Sequence, residues 1–506
     1  MIAADFMTVA EAGAGKHYGI AISSAKTHNV KFDNGVFTPR GDHAVLNVTD
    51  LENALAAGNV EVSTRNGPGG ELPGNINVDA SFTWTSGSAL VLDAFHSIYV
   101  NAPVVDAGSG ALTLTTDDGG AGGELFFGAT GNIAIWSLST GLTINGQAYT
   151  LVGDIQTLAV DVAKNPSGLF ALANSYDAKV DGVYHAAPIT TALSGTFEGL
   201  GNTISKLTIS DTTDGQAGLF ARSSGIISDV GIVGANVTLN SASGENAGVL
   251  AAYAAGVVRG SYSTGSVTVS GNAAAGGLVG TETGTVANSH SSASASGGTG
   301  SRVGGLVGWA NSSTLENSYA SGAASGGSNA YAGGLAGFVE STTIDSCFST
   351  GLATVGDGTR NLVAAGGLIG ATTGAQGSTL LVENSYAIGN ATAGVSAEVG
   401  GLVGLAYTGT FQTSYSTGVP SAGAKGLVGG YAGLEKSGSN AANAYWDTTT
   451  SGLTQPVGKG SGEGITGLTT AQLQSGLPSG FDPTIWAESP TVNNGLPYLI
   501  ANPPPQ

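Results

Sequence analysis

The sequence is poor in cysteine and in positive charge. Its 506 residues contain one cysteine, Cys347, so neither an intramolecular disulfide nor a CxxC site for zinc or dithiol chemistry can form. Only 15 residues are Lys or Arg, against 35 Asp or Glu, and the formal net charge is -20. Recognition of nucleic acid needs clustered cations, so nucleic acid is not an expected partner.

Long apolar stretches are also missing. No apolar run reaches the length of about 18 that a membrane-spanning helix needs, which argues against insertion into a membrane. The N-terminal MIAADFMTVAEAGAGKHYG lacks the cationic and apolar regions of a signal peptide. With 41% hydrophobic and 10% charged residues, the chain can bury a core beneath a surface rich in Ser, Thr, Asn and Gly. A cytoplasmic chain and a fragment of a longer exported chain both remain open at this point.

The signatures of common active sites are absent from the sequence. No HExxH and no GxSxG motif occurs, and the six histidines follow no metal-ligand spacing. We therefore predict no catalytic, cofactor-binding or metal-binding residues, no cofactor, and no enzymatic activity. The histidines are His17, His28, His43, His96, His185 and His290.

What the sequence does contain is a repeat. GGLVG occurs at 276–280, 304–308 and 400–404, and the near copies are GGLAG at 333–337 and GGLIG at 366–370. The leucines of these phrases recur at nearly even steps and are Leu278, Leu306, Leu335, Leu368 and Leu402. A phosphate-binding loop would need a helix after the glycines, and no helical pattern follows. A recurring unit of this length instead indicates a repeat fold.

A second marker runs in step with the leucines. It is a ring-bearing residue that recurs at nearly the same spacing, with one longer step before Tyr386: Tyr262, His290, Tyr319, Phe348, Tyr386 and Tyr415. Four positions before each ring stands an apolar residue, and between them a small or polar one, such as Val286, Asn288 and His290. Alternation along a strand would place these three positions on one face. We predict that the leucines stack as one buried ladder, and the rings as a second ladder that also points inward.

Short strands joined by glycine-marked corners predict an all-β parallel β-helix. One unit cannot bury its apolar face alone, but units stacked about 4.8 Å apart form a continuous core. The N-terminal half repeats with a shorter period, since NINVDASF at 75–82 is matched by SIYVNAPV at 97–104. Coils of these lengths would form a shaft roughly 80 to 110 Å long. Short helices are predicted at 48–60, where Thr49 and Glu52 have capping-box spacing, at 154–166 and at 468–476.

Several phrases resemble known families of exported proteins. GGLVG followed by NSYASG is similar to the GLUG motif of bacterial surface proteins. SALVLDAFHSIYVNAPV and LTINGQAYTLVGDIQTLAVDVAKNPSGLFALANSYDA resemble the filamentous haemagglutinin family of large adhesins. On this basis we divide the chain into a haemagglutinin-like β-helix (1–195), a GLUG-repeat β-helix (196–446), and a C-terminal cap and tail (447–506) that covers the last coil.

The resemblance implies a function as well as a right-handed β-helix. It implies secretion through an outer-membrane partner and a place outside the bacterial cell, as a secreted or surface adhesin or exoprotein shaft that acts in attachment or biofilm. Host or bacterial glycans and proteins, or further copies of the chain, would be the partners. The resemblance also favours the fragment interpretation over the cytoplasmic one. Two alternatives remain: a carbohydrate-active β-helix enzyme and a self-assembling filament.

Two short motifs are candidate sites. Arg40, Gly41 and Asp42 spell an integrin-binding tripeptide, which would need an exposed loop. Asp117 and Asp118 form the best acidic pair, and we interpret it as a solvated turn because the repeat places no partner carboxylate beside it. A convergence of three carboxylates and a basic residue on one outer groove would favour the enzyme, whereas ladders of Ser, Thr and Asn would favour the shaft.

Overall fold

The described residues form a parallel β-solenoid of about 14 turns, and they include four short α-helices. The computed structural model describes residues 18–65, 74–119, 122–212, 215–240, 245–359, 362–374 and 380–505. His17 and the start of the first predicted domain lie outside the described residues. The prediction of an all-β parallel β-helix is confirmed, and the right-handed sense stays a prediction.

The N-terminal coils are built from short strands, most of which pair in parallel with their equivalents one coil away. Two pairings are antiparallel, Val30–Asp33 with Val36–Pro39 and Leu142–Ile144 with Gln147–Val152. The register reproduces the shift seen in the sequence, since Ile76 pairs with Ile98 and Leu90 with Leu112. The strands are Ile20–Ser23, Val30–Asp33, Val36–Pro39, Ala44–Asn47, Val60–Ser63, Ile76–Val78, Phe82–Trp84, Leu90–Asp93, Ile98–Val100, Val104–Asp106, Leu112–Thr115, Leu125–Phe127, Ile133–Ile135, Leu142–Ile144, Gln147–Val152 and Leu169–Leu172.

The coils that follow carry the GGLVG-like phrases, and we call them GLUG coils after the motif that these phrases resemble. Each has five strand positions, counted from the strand that enters the phrase. Position one is Gln216–Ala217, Asn246–Gly248, Ala274–Gly276, Arg302–Gly304, Tyr331–Gly333, Ala364–Gly366, Glu398–Gly400 and Leu427–Gly429. Position two, after the phrase, is Phe220–Ser223, Ala251–Ala254, Val279–Glu282, Val307–Asn311, Ala336–Glu340, Ile369–Thr373 and Val457–Lys459. Position three is Thr196–Glu198, Ile226–Ser228, Val257–Arg259, Thr285–Ala287, Thr314–Glu316, Thr343–Asp345 and Leu381–Glu383.

Positions four and five complete the coil. Position four is Tyr176–Asp177, Thr203–Ser205, His290–Ser291, Tyr319–Ala320, Phe348–Ser349, Tyr386–Ala387 and Ile465–Leu468. Position five is Thr208–Asp211, Ser294–Gly297, Ala324–Gly326, Ala353–Val355, Ala391–Ala393 and Pro420–Ala422. Longer strands join two or more positions, and they are Gly231–Leu239, Tyr262–Val269, Val403–Ser416 and Ala432–Asp447.

Two apolar cores run through the described part of the solenoid. One fills the N-terminal coils and the other fills the GLUG coils. The strand Leu169–Leu172 separates them, because Phe170 points into the GLUG core while Ala171 points into the N-terminal core. The change of period in the sequence therefore corresponds to a change of core, and one strand is buried on both of its faces.

The corner between positions three and four differs from the prediction. The residue between the apolar residue and the ring is in the left-handed region, with φ of 50° at Asn288, 45° at Asn317 and 44° at Asn384. Asn is among the few non-glycine residues that adopt this conformation readily. The strand therefore ends at this corner, and the expected alternation of Val286, Asn288 and His290 on one face is wrong.

Helices lie at the three predicted places, as Val48–Ala57, Ile155–Lys164 and Thr470–Leu473. Thr469 caps the last of them in a capping box with Gln472. The first helix is capped by Asn47, whose side chain accepts from the Thr49 backbone N–H, and the expected capping box of Thr49 and Glu52 does not form. Glu52 instead accepts from the backbone N–H of Thr83, 2.9 Å away.

Several further short elements were not predicted from the sequence. Asp447 caps the α-helix Thr448–Ser451 by accepting from two backbone N–H groups. Two 3₁₀-helices, Ala178–Asp181 and Asn493–Gly495, and a pair of strands, Trp486–Ala487 and Tyr498–Leu499, complete the described elements. About 14 coils at about 4.8 Å each give a shaft of roughly 67 Å, shorter than predicted, since helices, loops and the chain end add residues without adding coils.

Candidate functional site

The five marker leucines lie in the GLUG core. Each has 0% of its surface exposed. The backbone N–H of Leu278 donates to the carbonyl oxygen of Leu306 at 2.9 Å, and the same bond links each later pair of rungs. Each GGLVG leucine thus sits directly on the next.

The ring-bearing residues also stack, but on the outside of the solenoid. Neighbouring ring centroids from Tyr262 to Tyr415 are between 4.7 and 5.1 Å apart, and their planes differ by no more than 6°. The serines on either side of His290, Ser289 and Ser291, are fully buried, so the ring between them faces outward. The predicted inward direction is wrong because the left-handed corner at Asn288 shifts the alternation by one residue.

The C-terminal segment, residues 469–505, covers one half of this aromatic ladder. Trp486 lies 6.0 Å from the rings of both Tyr386 and Tyr415. The Tyr415 hydroxyl donates to the carbonyl oxygen of Pro497 at 2.6 Å, and the Asn502 amide donates to that of Ser346 at 3.1 Å. The predicted cap therefore returns along the flank of the solenoid, while residues 457–468 form strands against the last coil.

Burial changes the proton affinity of two groups in these ladders. Desolvation lowers the pKa of His290 to about 4, so the imidazole is neutral between the rings of Tyr262 and Tyr319 at neutral pH. Cys347 is fully buried and replaces serine in an inward-facing file, and burial raises the pKa of its thiol. Its Sγ donates to the carbonyl oxygen of Asp345 at 3.2 Å, so its position is structural.

The glycines of the phrase allow two strands to approach each other. A side chain at Gly276 would collide with the carbonyl oxygen of Val279, and one at Gly280 would meet the backbone of Ala247 and Ala252. None of the glycines in these phrases has a left-handed backbone conformation. Glycine is required here because a side chain would prevent the close approach of the two strands. Position one and position two therefore meet at a tight angle, which we call the glycine corner.

Outward side chains from the two strands touch each other at the glycine corner. Thr281 donates to the side chain of Asn246 at 2.6 Å, and the ring centroids of Tyr331 and Phe338 are 5.2 Å apart. The guanidinium of Arg302 lies over the Trp309 ring, 4.8 Å from its centroid. A mixed polar and aromatic strip therefore follows the corner along the axis.

Position five carries the most regular polar face, a file of Ser and Thr that we call the hydroxyl ladder. Its members, in register from coil to coil, are Ser210, Thr238, Thr268, Ser296, Ser325, Thr354, Thr392 and Ser421. Ser296 donates to Thr268 at 3.0 Å and Thr354 donates to Ser325 at 3.0 Å. Every second residue along these strands points inward, so the hydroxyls face solvent.

The tripeptide Arg40–Gly41–Asp42 lies in an exposed turn between the strands Val36–Pro39 and Ala44–Asn47. The side chains of Arg40 and Asp42 are exposed, and the Asn29 amide donates to the Asp42 carbonyl oxygen at 2.8 Å. The turn meets the exposure requirement of a receptor motif, and its role stays a prediction.

The acidic pair at 117–118 has neighbours that the sequence did not reveal. Arg65 pairs with Asp118 at 2.8 Å. Asp93, one coil earlier, accepts from the Ser63 hydroxyl at 3.0 Å and interacts with Asp118. Burial is the main cause that raises the pKa of Asp93, and the negative charge of Asp118 adds to the effect. The repeat period did not place a carboxylate beside this pair, and the fold brings Asp93 to Asp118.

A second carboxyl cluster lies where the two cores meet. Glu198 and Asp229 are 4% and 8% exposed, and burial raises the pKa of both, against a smaller lowering by Arg259. Glu198 accepts from the Ser228 hydroxyl at 2.5 Å and from the backbone N–H of Leu200 at 2.8 Å. Arg259 reaches Glu124 at 3.5 Å. Three carboxyl groups and a guanidinium are thus neighbours, although they come from both of the predicted β-helix regions.

In the part of the chain that the structure describes, no group of three or more His, Cys, Asp or Glu side chains has the arrangement of a metal site. None of the described helices is long and apolar enough to span a bilayer.

Comparison with known proteins identifies one motif. A family model described as the GLUG motif matches residues 299–325, which run from position one through position five around Leu306. Over 264 residues, 49% of the chain, the sequence is 28% identical to Halomucin of Haloquadratum walsbyi. The chain spans about 2% of the length of that relative. The chain is thus a repeat-containing β-solenoid with a GLUG motif.

A solved structure gives a weaker likeness. It is a Bacteroides ovatus protein named "putative immunoglobulin A1 protease", 20% identical, and the alignment covers 70% of this chain and 92% of that one with a TM-score of 0.39. A score this low supports no argument about activity. None of these proteins is named as a filamentous haemagglutinin, and that resemblance stays a prediction.

Proposed function

We propose that this protein is a secreted or cell-surface shaft that mediates attachment through its polar outer face. The hydroxyl ladder is the observation that carries the proposal. Eight hydroxyl side chains in register form a straight polar file along the solenoid, and they suit hydrogen bonding to extended, hydroxyl-rich partners such as glycans. The partners are host or bacterial surface glycans or proteins, and the proposal includes export through an outer-membrane partner.

Loss of the central hydroxyls tests this proposal. The triple variant Thr268→Ala, Ser296→Ala and Ser325→Ala removes three adjacent rungs that are exposed or half-buried. On a glycan array and on bacterial and host cells, we expect the variant to bind at least about 10-fold more weakly than the parent, since each lost hydrogen bond contributes about 0.5–1.5 kcal/mol.

The matched control removes three threonines from another outer file, at position three. Thr285, Thr314 and Thr343 are also in register, and all are half-buried. Unchanged binding by the first variant, or equal losses in both variants, would contradict a role for the hydroxyl ladder. Head-to-tail polymers in the microscope, with no binding to any surface, would instead support the filament.

The cluster of Glu124, Glu198, Asp229 and Arg259 favours a second candidate, a polysaccharide lyase or hydrolase. A buried carboxylic acid with a raised pKa is a suitable general acid, and a neighbouring carboxylate and guanidinium are common companions of such an acid. Release of reducing ends or of unsaturated uronates from polysaccharides would reveal the activity. We expect Glu198→Gln to abolish it, whereas Glu316→Gln, an exposed carboxyl at the equivalent strand position four coils away, would leave it intact.

A further inference from the structure

The glycine corner contains a cation that lies over two neighbouring aromatic rings. The Arg302 guanidinium carbon is 4.8 Å from the centroid of Trp309 and 5.4 Å from that of Phe338, one coil further along. Tyr331 pairs with Arg302 in register on the adjacent strand. Ring faces hold a guanidinium favourably, but they do not replace the hydrogen bonds that water would give it.

Two hydrogen-bond donors at this place lack acceptors. The Nε–H of Arg302 and the Nε1–H of Trp309 are both buried, and neither has a hydrogen-bond partner among the described residues. An unpaired buried N–H destabilises the folded protein, and more so when the donor is charged. Burial lowers the pKa of Arg302, and Glu340 and Tyr331 oppose that change through their charges. No carboxylate in the described ranges forms an ion pair with this guanidinium.

This combination is unusual for the molecule. The chain carries a net charge of -20 and only 15 cationic side chains, yet it places one of them, half-buried, beside a neutral donor. Both side chains keep part of their surface exposed, so a ligand can contact the guanidinium and the indole at the corner, while the two N–H groups themselves are buried. An anionic oxygen held against the guanidinium would offset the buried positive charge, and a small movement of the side chains would let it accept from these donors.

We propose that Arg302 and Trp309 bind the anionic group of an acidic sugar, a carboxylate or a sulfate ester, at the glycine corner. The rings of Phe338 and Tyr331 then contact the apolar face of the sugar, as aromatic residues do in sites that take partly polar ligands. The strip runs along the axis, so an extended acidic oligosaccharide fits it better than a compact anion. This site is separate from the hydroxyl ladder and does not depend on it.

Binding of defined oligosaccharides tests the proposal on the intact chain. The probes for calorimetry are trigalacturonate, which carries carboxylates, a sulfated trisaccharide, and neutral maltotriose. We expect both acidic probes to bind, or one of them, and maltotriose to bind at least 10-fold more weakly. A preference between the two acidic probes assigns the site to carboxylate or to sulfate. Failure of both to bind would overturn the proposal.

Two variants remove the donors separately. Arg302→Gln should weaken binding of the acidic probe at least 10-fold, and Trp309→Phe, which keeps a ring but loses the N–H, about 5-fold. Lys26→Gln is the control, because it removes the same charge from an exposed loop and should leave the affinity unchanged. Thermal unfolding checks that each variant is folded, and Trp309→Phe stands as the test if Arg302→Gln fails to fold.

The control also distinguishes specific binding at Arg302 from a general effect of net charge on the affinity. Equal losses in Arg302→Gln and Lys26→Gln would show that only net charge matters, and the proposal would be wrong. Binding of trigalacturonate that persists in the triple hydroxyl-ladder variant would show that this site acts independently of the proposed attachment face. Loss of binding in that variant, with retention in Arg302→Gln, would assign the probe to the hydroxyl ladder and overturn the proposal.

Discussion

At the scale of single residues, the most unusual group is the carboxyl of Glu282. It lies at the end of the strand Val279–Glu282 with 0% of its surface exposed. One oxygen accepts from the backbone N–H of Gly284 at 2.6 Å, and the other has no partner among the described residues. Desolvation therefore raises the pKa of Glu282 to about 8, and the group is largely protonated at neutral pH.

The titration of Glu282 predicts a pH-dependent stability. Its pKa is higher in the folded state than the ordinary 4.5, so its contribution is most favourable below pH 4.5 and is lost as the pH rises from 4.5 to about 8. Glu282→Gln should remove this loss and raise the free energy of unfolding by up to about 3 kcal/mol at pH 7.

Urea unfolding of both proteins at pH 4.5, 7 and 8 measures the difference. Glu316→Gln, at an exposed carboxyl, is the matched control and should give the same pH profile as the parent. If the gain from Glu282→Gln were equal at pH 4.5 and pH 8, the carboxyl would not be the cause.

At the scale of structural elements, each coil is stabilised mainly by its neighbours. The leucine of each GGLVG phrase is enclosed by the core, and its backbone is bonded to the leucines above and below. Stability in such an array is the sum of coil and interface contributions, so a defect in one rung affects two interfaces.

Truncation of one rung should be costly. Leu335→Ala removes a fully buried side chain from the middle of the ladder and should lower the free energy of unfolding by about 2–5 kcal/mol. Leu352→Ala, at a leucine 42% exposed later in the same coil, should change it by less than about 0.5 kcal/mol. Chemical denaturation followed by circular dichroism measures the free energy of unfolding of both variants. Equal losses of stability would contradict the buried leucine ladder.

The C-terminal segment is a separate element that is held to the aromatic ladder by a small apolar cluster. Trp486, Phe481 and Leu499 are buried against Tyr386 and Tyr415. Trp486→Ala should release residues 469–505 to proteolysis while the coils keep their circular dichroism, because the GLUG core does not include this segment. Trp136→Ala, at a tryptophan 66% exposed, is the control. Loss of the whole fold in Trp486→Ala would show that the segment is required for the solenoid.

At the scale of the whole molecule, the excess of negative charge lowers the stability of the fold. The 35 acidic side chains exceed the 15 basic ones, and the ion pairs at Lys31, Lys164 and Lys206 are exposed, so they offset little of the repulsion. Repulsion between like charges destabilises a compact state, and salt screens it over about 8–10 Å at physiological strength.

Salt should therefore stabilise the protein. Raising NaCl from about 0.01 M to about 0.15 M should move the midpoint of urea unfolding to higher urea, because the Debye length falls from about 30 Å to about 8 Å. The increase should level off by about 0.5 M, where exposed charges are largely screened. A midpoint that falls with salt would show that attractive ion pairs, rather than net repulsion, dominate the electrostatics.

Much of the fold could be predicted because, in a solenoid, residues that are one repeat apart in the sequence pair with each other on neighbouring coils. Tyr262 and His290 hold the same place in successive repeats, and they pair directly in space, as Ile76 and Ile98 do in the N-terminal coils. The period, the strands and the stacking of leucines follow from this one relation. Helices at three non-repeating places were predicted from cap and breaker residues in the local sequence, although the first is capped by Asn47 and not by the predicted box.

The sequence by itself determined the repeat, the coil register and which residues form rungs, since these depend on spacing alone. Only the tertiary structure decided that the aromatic rungs face outward, because one left-handed residue at each corner reverses the side on which the next residue lies. The tertiary structure also brings Arg302 to Trp309, Asp93 to Asp118 and Trp486 to Tyr415. These contacts are set by how corners and chain ends fold onto the coils, and no period encodes that geometry.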